Sequence, residues 1–132
     1  MLTLAFDTTA DCCAVALLKD NLVVEKFSEE MDFGQAEVLI PQIQAMLQKQ
    51  NLTFSELNLL AVCVGPGSFT GVRSSIAAAR AFGLACPELK ITGVSAFEAY
   101  VHSLDMSELS DYNAVIIETK RADFYFQLFN GR

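Results

Sequence analysis

The sequence contains no tryptophan, a single histidine and no apolar run long enough to cross a membrane. A spanning helix needs about 20 consecutive apolar residues, and Arg80 interrupts the longest apolar helical pattern. The apolar start of the chain, residues 1–6, lacks a basic flank and meets Asp7 too early for a secretory signal peptide. We therefore expect a cytoplasmic protein with no membrane contact.

The ligand sets of zinc sites are also missing. His102 has no second histidine to pair with, and the four cysteines, at positions 12, 13, 63 and 86, show no CxxC spacing. Cys12 and Cys13 are adjacent, so in a strand they would point to opposite faces. We expect reduced thiols that pack as small core residues, and no metal site.

Positive charge is scarce, because nine basic side chains stand against sixteen acidic ones and give a net charge of −7. Such a balance repels phosphate backbones, so the chain is not expected to bind RNA or DNA by itself. Apolar residues, in contrast, make up 52% of the 132 positions. That is enough for one compact domain, which should bury roughly two-thirds of its unfolded surface.

The hydrophobic pattern predicts an α/β chain that begins with three antiparallel strands. Apolar runs of strand length occur at residues 2–6, 12–18, 22–27, 57–64, 90–93, 114–118 and 123–129. The first three runs are separated by short polar turns and therefore predict a meander.

Three helices are predicted between these strands. The first covers residues 34–50, where Pro41 is expected to kink the helix or delay its start. The second covers about 70–85, and the third begins after a capping box at Ser95 and ends near 103.

The turn Asp7-Thr8-Thr9 is the first candidate site, at the carboxyl end of the first strand. A carboxylate beside hydroxyl groups suits Mg²⁺ held through water, while backbone amides bind a phosphate. An Asx or Ser/Thr turn that closes a hairpin uses the same residue types. The spacing alone leaves both interpretations open.

A glycine-rich turn between a strand and a helix is the second candidate site. Glycines allow close backbone approach, and a helix start offers free amides to an anion. No lysine follows the last glycine, so the turn is not a Walker A loop, and a tight connection with Ser68 or Thr70 as helix cap is equally compatible. The turn comprises Gly65, Pro66, Gly67, Ser68, Phe69, Thr70, Gly71, Val72 and Arg73.

Together these segments resemble the TsaB (YeaZ) family. The similar segments are LAFDTTADCCAVA at 4–16, AEVLIPQI in the first helix, GPGSFTGVR at 65–73, and Gly93-Val94-Ser95. The resemblance implies an α/β fold of the actin-like ATPase (ribonuclease H-like) type, a mixed sheet with three antiparallel strands and helices packed on it. It implies an amino-terminal lobe over 1–110 and the start of a truncated or shortened second lobe over 111–132. Asp7, Thr8 and Thr9 would then be the vestige of a phosphate loop.

The resemblance also implies a function. Family members are non-catalytic partners that scaffold or activate the TsaD enzyme, which forms N6-threonylcarbamoyladenosine at position 37 of ANN-decoding tRNAs, with the ATPase TsaE as a third subunit. The chain would then hold no catalytic residue, metal or cofactor, the complex would use ATP, and tRNA would bind only through the complex. The alternative is an ATP-binding actin-like kinase or ATPase, which needs two lobes around its nucleotide.

A partner interface is expected on the second helix, because one of its faces carries only small residues and lets another helix approach closely. A helical wheel places Val72, Ile76, Ala79 and Gly83 toward the sheet. TsaB members pair through helices of this lobe with TsaD, or with themselves when TsaD is absent. The predicted interface comprises Leu39, Ile43, Ser74, Ala78, Ala81 and Ala85.

Overall fold

Two separate sheets and three helices make up residues 1–131, the part of the chain that this computed structural model describes. The main sheet contains β1 (Leu2–Asp7), β2 (Cys12–Lys19), β3 (Leu22–Glu30), β4 (Leu59–Cys63) and β5 (Lys90–Val94). The helices are α1 (Gln35–Lys49), α2 (Phe69–Ala85) and α3 (Ala96–His102), and a 3-10 turn covers Phe54–Glu56. The second sheet is a two-stranded ribbon of β6 (Tyr112–Glu118) and β7 (Phe124–Asn130).

The main sheet has the strand order β3-β2-β1-β4-β5. β1, β2 and β3 pair antiparallel, while β4 is parallel to β1 and β5 is parallel to β4. Asp20 and Asn21 join β2 to β3 with φ values of 49° and 67°, the left-handed conformation that a two-residue hairpin turn requires. The predicted mixed sheet with three antiparallel strands is therefore confirmed.

The core lies where α1 and α2 cover the sheet. Alternate residues of the strands point into it, and the fully buried Leu4, Leu17 and Leu60 meet Leu39 and Ile43 from α1. Each such side chain contributes about 1.5–3 kcal/mol by leaving water. This burial stabilises the layer of helices on the sheet.

Helix α1 begins at Gln35 and continues through Pro41, so the predicted late start is wrong. Gly34 precedes the helix with a φ of 90°, which a residue without Cβ adopts easily. Pro41 is exposed, and its missing amide costs one backbone hydrogen bond. The buried Leu39 and Ile43 on either side hold the helix on the sheet and offset that loss.

The sheet-facing arc predicted for α2 is wrong in part. The buried positions of α2 are Gly71, Ser75 and Ala79, whereas the prediction centred the arc on Val72 and Ile76, which are only half-buried. The reason lies at the start of the helix, where polar contacts with the end of β1 set its rotation, as described below.

Two residues predicted for the partner interface, Leu39 and Ile43, lie inside the chain's own core and are each 1% exposed. Their assignment to a partner surface is wrong, because α1 needs these apolar positions to cover the sheet. Ala78 of α2 is half-buried and packs against the same cluster. Ala81 and Ala85 are exposed, as predicted.

The ribbon β6–β7 is not hydrogen-bonded into the main sheet within residues 1–131. It begins at Tyr112, two residues before the strand predicted at 114–118, and α3 packs on β6. The division into a lobe over 1–110 and a second lobe from 111 stays a prediction.

No helix in the described chain is both long and apolar enough to cross a membrane.

Candidate functional site

The two candidate turns meet at the carboxyl ends of β1 and β4. These strands are parallel neighbours with Phe6 opposite Val62, so the turn after Asp7 and the turn after Cys63 lie side by side. In open α/β sheets this edge, where strand order changes direction, is where ligands bind. The contacts between the two turns therefore decide what the site can hold.

Thr8 joins the end of β1 to α2. Its buried hydroxyl donates to the carbonyl of Gly71 at 2.7 Å and lies 2.7 Å from the hydroxyl of Ser75. The Thr8 amide donates to Ser75 Oγ at 3.2 Å. Ser75 is fully buried, and these bonds satisfy its hydroxyl. They also set which face of α2 turns inward.

Gly67 and Gly71 make room for backbone of the same chain. A Cβ at Gly71 would lie 2.0 Å from the carbonyl oxygen of Thr8, and one at Gly67 would lie 2.3 Å from that of Thr9. The amide of Ser68 donates to the Thr9 carbonyl at 2.8 Å, which closes the contact. The glycines therefore serve the approach of the Thr8-Thr9 backbone.

The glycine-rich turn also begins α2. Ser68 is the N-cap, and its hydroxyl accepts from the amide of Gly71 at 3.0 Å. Gly65 has a φ of 90°, and the Gly65–Pro66 peptide is cis. The turn thus makes the tight strand-to-helix connection with Ser68 as the helix cap.

The amides that a phosphate would need at the first turn are already bonded. The Thr9 amide donates to Asp7 Oδ1 at 2.7 Å, which makes an Asx turn, and the Thr8 amide donates to Ser75. Asp7, Thr8 and Thr9 thus form a closed turn, in which the amides of Thr8 and Thr9 are bonded within the chain and α2 packs against Thr8.

The exposed side of the glycine-rich turn carries Phe69, Thr70 and Arg73. The Arg73 guanidinium lies 5.0 Å from the centre of the Phe69 ring, and that ring is 75% exposed. The Thr70 carbonyl accepts from the hydroxyl of half-buried Ser74 at 2.9 Å. These side chains therefore face away from the contact with Thr8.

The thiols near the site are not activated. Burial raises the pKa of Cys63, whose Sγ lies 3.4 Å from Thr9 Oγ1, and burial raises that of Cys13 to about 11. Burial and then the Asp7 carboxylate raise the pKa of Tyr100 on α3. Protonated thiols are poor nucleophiles and poor metal ligands. Within residues 1–131, no three His, Cys, Asp or Glu side chains cluster as metal ligands would.

Sequence reasoning missed Ser75 and Tyr100. Ser75 lies four residues after Gly71, on the same helix face, and a polar residue among alanines in such a stripe is the signal that could have identified it. Tyr100 had no such signal, because only the packing of α3 brings it near Asp7.

A second feature is an apolar groove between α1 and α2. Within it the rings of Phe54 and Phe82 stack with centres 4.4 Å apart, and the Phe82 ring meets Phe6 edge-on at 6.4 Å. The groove (hereafter the α1–α2 groove) is lined by Ile40, Ile43, Gln44, Leu47, Gln48, Leu52, Phe54, Phe82, Ala85 and Cys86. Of the predicted interface residues, Ala85 and the buried Ile43 line it.

Comparison with known proteins shows where this chain belongs. Residues 34–128 match the family model described as TsaD: tRNA N6-adenosine threonylcarbamoyltransferase. The chain belongs to this family, and its resemblance to the TsaB members is confirmed.

Two relatives are named tRNA threonylcarbamoyladenosine biosynthesis protein TsaB. That of Escherichia coli (strain K12) is 38% identical over 95 residues, which cover 72% of this chain and 40% of the relative. That of Haemophilus influenzae is 32% identical over 126 residues, or 93% of this chain and 51% of the relative. The chain thus spans about half the length of these relatives, or less.

The fold is that of YeaZ from Pseudomonas aeruginosa. Its solved structure superposes with a TM-score of 0.86 at 24% identity and covers 98% of this chain and 60% of its own. The predicted α/β fold with helices packed on a mixed sheet is therefore confirmed as the fold of YeaZ.

We predict that Gly71→Ala destabilises the chain by roughly 3 kcal/mol or more, since the added methyl group must push apart two backbones rather than two side chains. Gly83→Ala in the same helix is the control. There the added Cβ would meet the flexible end of Ile91 at 2.7 Å, and alanine favours the helix by about 1 kcal/mol.

Thermal and urea unfolding of both variants measure the difference. If Gly71→Ala unfolds at the same denaturant concentration as Gly83→Ala, the Thr8 carbonyl does not exclude a side chain at position 71, and the prediction is wrong.

Proposed function

We propose that this chain is a non-catalytic subunit of the complex that forms N6-threonylcarbamoyladenosine at position 37 of ANN-decoding tRNAs, where it scaffolds or activates TsaD. The names of its TsaB relatives support the pathway. One observation carries the non-catalytic role: the Thr8 and Thr9 amides, which a nucleotide phosphate would need, are bonded to Ser75 and Asp7.

The alternative is an ATP-binding actin-like kinase or ATPase. A phosphate could bind the first turn only if α2 withdrew from Thr8, which would expose the buried hydroxyls of Thr8 and Ser75. Leaving such groups without partners costs about 1–3 kcal/mol each. The closed turn therefore favours the scaffold, and ATP is used elsewhere in the complex.

We place the contact with TsaD at the α1–α2 groove. Phe82 is only half-buried there, and Ala85 and Ala81 are exposed small residues that let a partner helix approach closely. Leu84, 85% exposed, adds an apolar side chain to the same end of α2. In the absence of TsaD, we expect the groove to pair with that of a second copy.

TsaE and tRNA join through the complex, in the cytoplasm, rather than through this chain alone. Its net charge of −7 disfavours direct tRNA contact, since basic side chains supply most of the affinity for phosphates.

The test of this function is reconstitution. Purified chain, TsaD, TsaE, ATP, threonine, bicarbonate and unmodified tRNA should yield the modified nucleoside, and omission of this chain should reduce the yield at least tenfold. The chain as the sole protein should yield none. Product from the chain alone, or full yield without it, would refute the scaffold role.

A substitution in the groove should separate binding from folding. We expect Ala85→Arg to weaken capture of TsaD by at least tenfold while the chain stays folded, because an unpaired charge buried at an interface is strongly destabilising. Ala99→Arg places the same side chain at an exposed position of α3, away from the groove, and should leave capture unchanged. Equal capture by both variants would remove the groove as the docking site.

The Asp7 turn should matter for stability rather than for catalysis. Asp7→Ala removes the bond to the Thr9 amide and should lower the free energy of unfolding by about 1 kcal/mol, while the reconstituted complex keeps most of its activity. Loss of a Mg²⁺-binding carboxylate would instead remove several kcal/mol of transition-state stabilisation. A thousandfold fall in activity with an unchanged melting temperature would assign chemistry to Asp7.

A further inference from the structure

Helix α2 is not oriented by its bulkier apolar side chains. Val72 and Ile76 are left half-buried, while the buried arc consists of Gly71, Ser75 and Ala79. At about 100° per residue, the midpoint between Val72 and Ile76 lies about 80° around the helix from Ser75, the centre of the buried arc. An interaction other than apolar burial therefore holds the helix in this orientation.

The packing of the buried arc does not supply that interaction by itself. Glycine, serine and alanine present little shape to interlock with the sheet, and apolar burial has no preferred direction. Hydrogen bonds, in contrast, weaken steeply when they are bent. The orientation of α2 therefore comes from its directional polar contacts.

Thr8 supplies these polar contacts. Its hydroxyl donates to the Gly71 carbonyl and lies 2.7 Å from the Ser75 hydroxyl, and its amide donates to Ser75 Oγ at 3.2 Å. Thr8 and Ser75 are both fully buried, so water does not replace a bond that rotation of the helix breaks. Because a buried polar group without a partner is costly, the three contacts oppose any rotation of α2 away from Thr8.

The orientation set at Ser75 extends to the α1–α2 groove. Phe82 follows Ser75 by almost two turns and points within about 20° of the same direction. Its ring stacks on Phe54 with centres 4.4 Å apart and meets Phe6 edge-on. Because side chains extend about 5 Å from the helix axis, a rotation of about 20° would move them by about 2 Å, enough to break the stacked contact.

We propose that Thr8 and Ser75 are positioning residues for the α1–α2 groove. Their contact at the start of α2 holds the orientation in which Phe82 and Ala85 line the surface that TsaD binds. The inference rests on the proposed function for the occupant of the groove. It adds that the turn after β1 controls the affinity for TsaD without touching it, since Ser75 and Ala85 are about 15 Å apart along the helix.

Loss of the Thr8 hydroxyl should weaken TsaD binding although every groove residue is unaltered. Thr8→Val keeps the shape of the side chain and removes its hydroxyl bonds to Gly71 and Ser75, so we expect the dissociation constant for TsaD to rise roughly tenfold. Thr8→Ser keeps the hydroxyl and should bind TsaD as the unaltered chain does. Surface plasmon resonance with immobilised TsaD measures both variants.

Asp7→Ala is the control that separates orientation from stability. It removes the bond between Asp7 Oδ1 and the Thr9 amide in the same turn, but no bond to α2. This variant should be less stable in thermal unfolding and still bind TsaD as the unaltered chain does. If Asp7→Ala and Thr8→Val both weaken binding in proportion to their loss of stability, the proposal is overturned.

A second measurement needs no partner. Nuclear Overhauser contacts between the rings of Phe54 and Phe82 report the orientation of α2 in the chain alone, because the ring centres are 4.4 Å apart. These contacts should be present in the unaltered chain, in Thr8→Ser and in Asp7→Ala, and should be lost or strongly weakened in Thr8→Val. Circular dichroism checks that each variant is folded. If Thr8→Val does not fold, Ser75→Ala replaces it, since it leaves the Thr8 hydroxyl bonded to the Gly71 carbonyl.

Failure of this inference and failure of the proposed function give different results. Unchanged TsaD binding by Thr8→Val or Ser75→Ala, beside weakened binding by Ala85→Arg, would overturn the inference and leave the docking site intact. If the unaltered chain does not bind TsaD, or Ala85→Arg binds it equally well, the proposed docking is refuted, and the role of Thr8 and Ser75 in TsaD binding is refuted with it.

Discussion

The carbonyl oxygen of Thr8 lies where a side chain at residue 71 would begin, and the position of α2 depends on this contact. Because Gly71 has no Cβ, α2 can pack directly against the end of β1. There the Thr8 hydroxyl is hydrogen-bonded to the Gly71 carbonyl and to the Ser75 hydroxyl. This polar contact, rather than the apolar residues of the helix, sets the rotation of α2. The rotation in turn brings Phe82 toward Phe54 and forms one wall of the groove.

The same contact also occupies the backbone amides at the end of β1. The end of a strand and the start of a helix are a ready anion site only while their amides are free. Here the Thr8 and Thr9 amides have hydrogen-bond partners within the chain. The space beside Gly67 and Gly71 is occupied by the backbone of Thr8 and Thr9. Residue types suited to holding phosphate thus serve here to hold α2 against the end of β1.

Much of this fold could be predicted from local patterns. The three antiparallel strands, the Ser68 cap and the capping box at Ser95 all follow from interactions between residues close in sequence. The face of α2 could not, because a helical wheel gives relative angles and the inward direction comes from Thr8, more than sixty residues away. The same limit applied to Leu39 and Ile43, since a pattern shows an apolar stripe without showing what covers it.

The distribution of charge agrees with the proposed role as a protein-binding subunit. The net charge of −7 disfavours contact with nucleic acid, and burial raises the pKa of the Cys13 and Cys63 thiols, so these thiols are poor nucleophiles. Apolar surface remains exposed at the groove, where small residues lie beside a half-buried ring, an arrangement that suits an approaching helix.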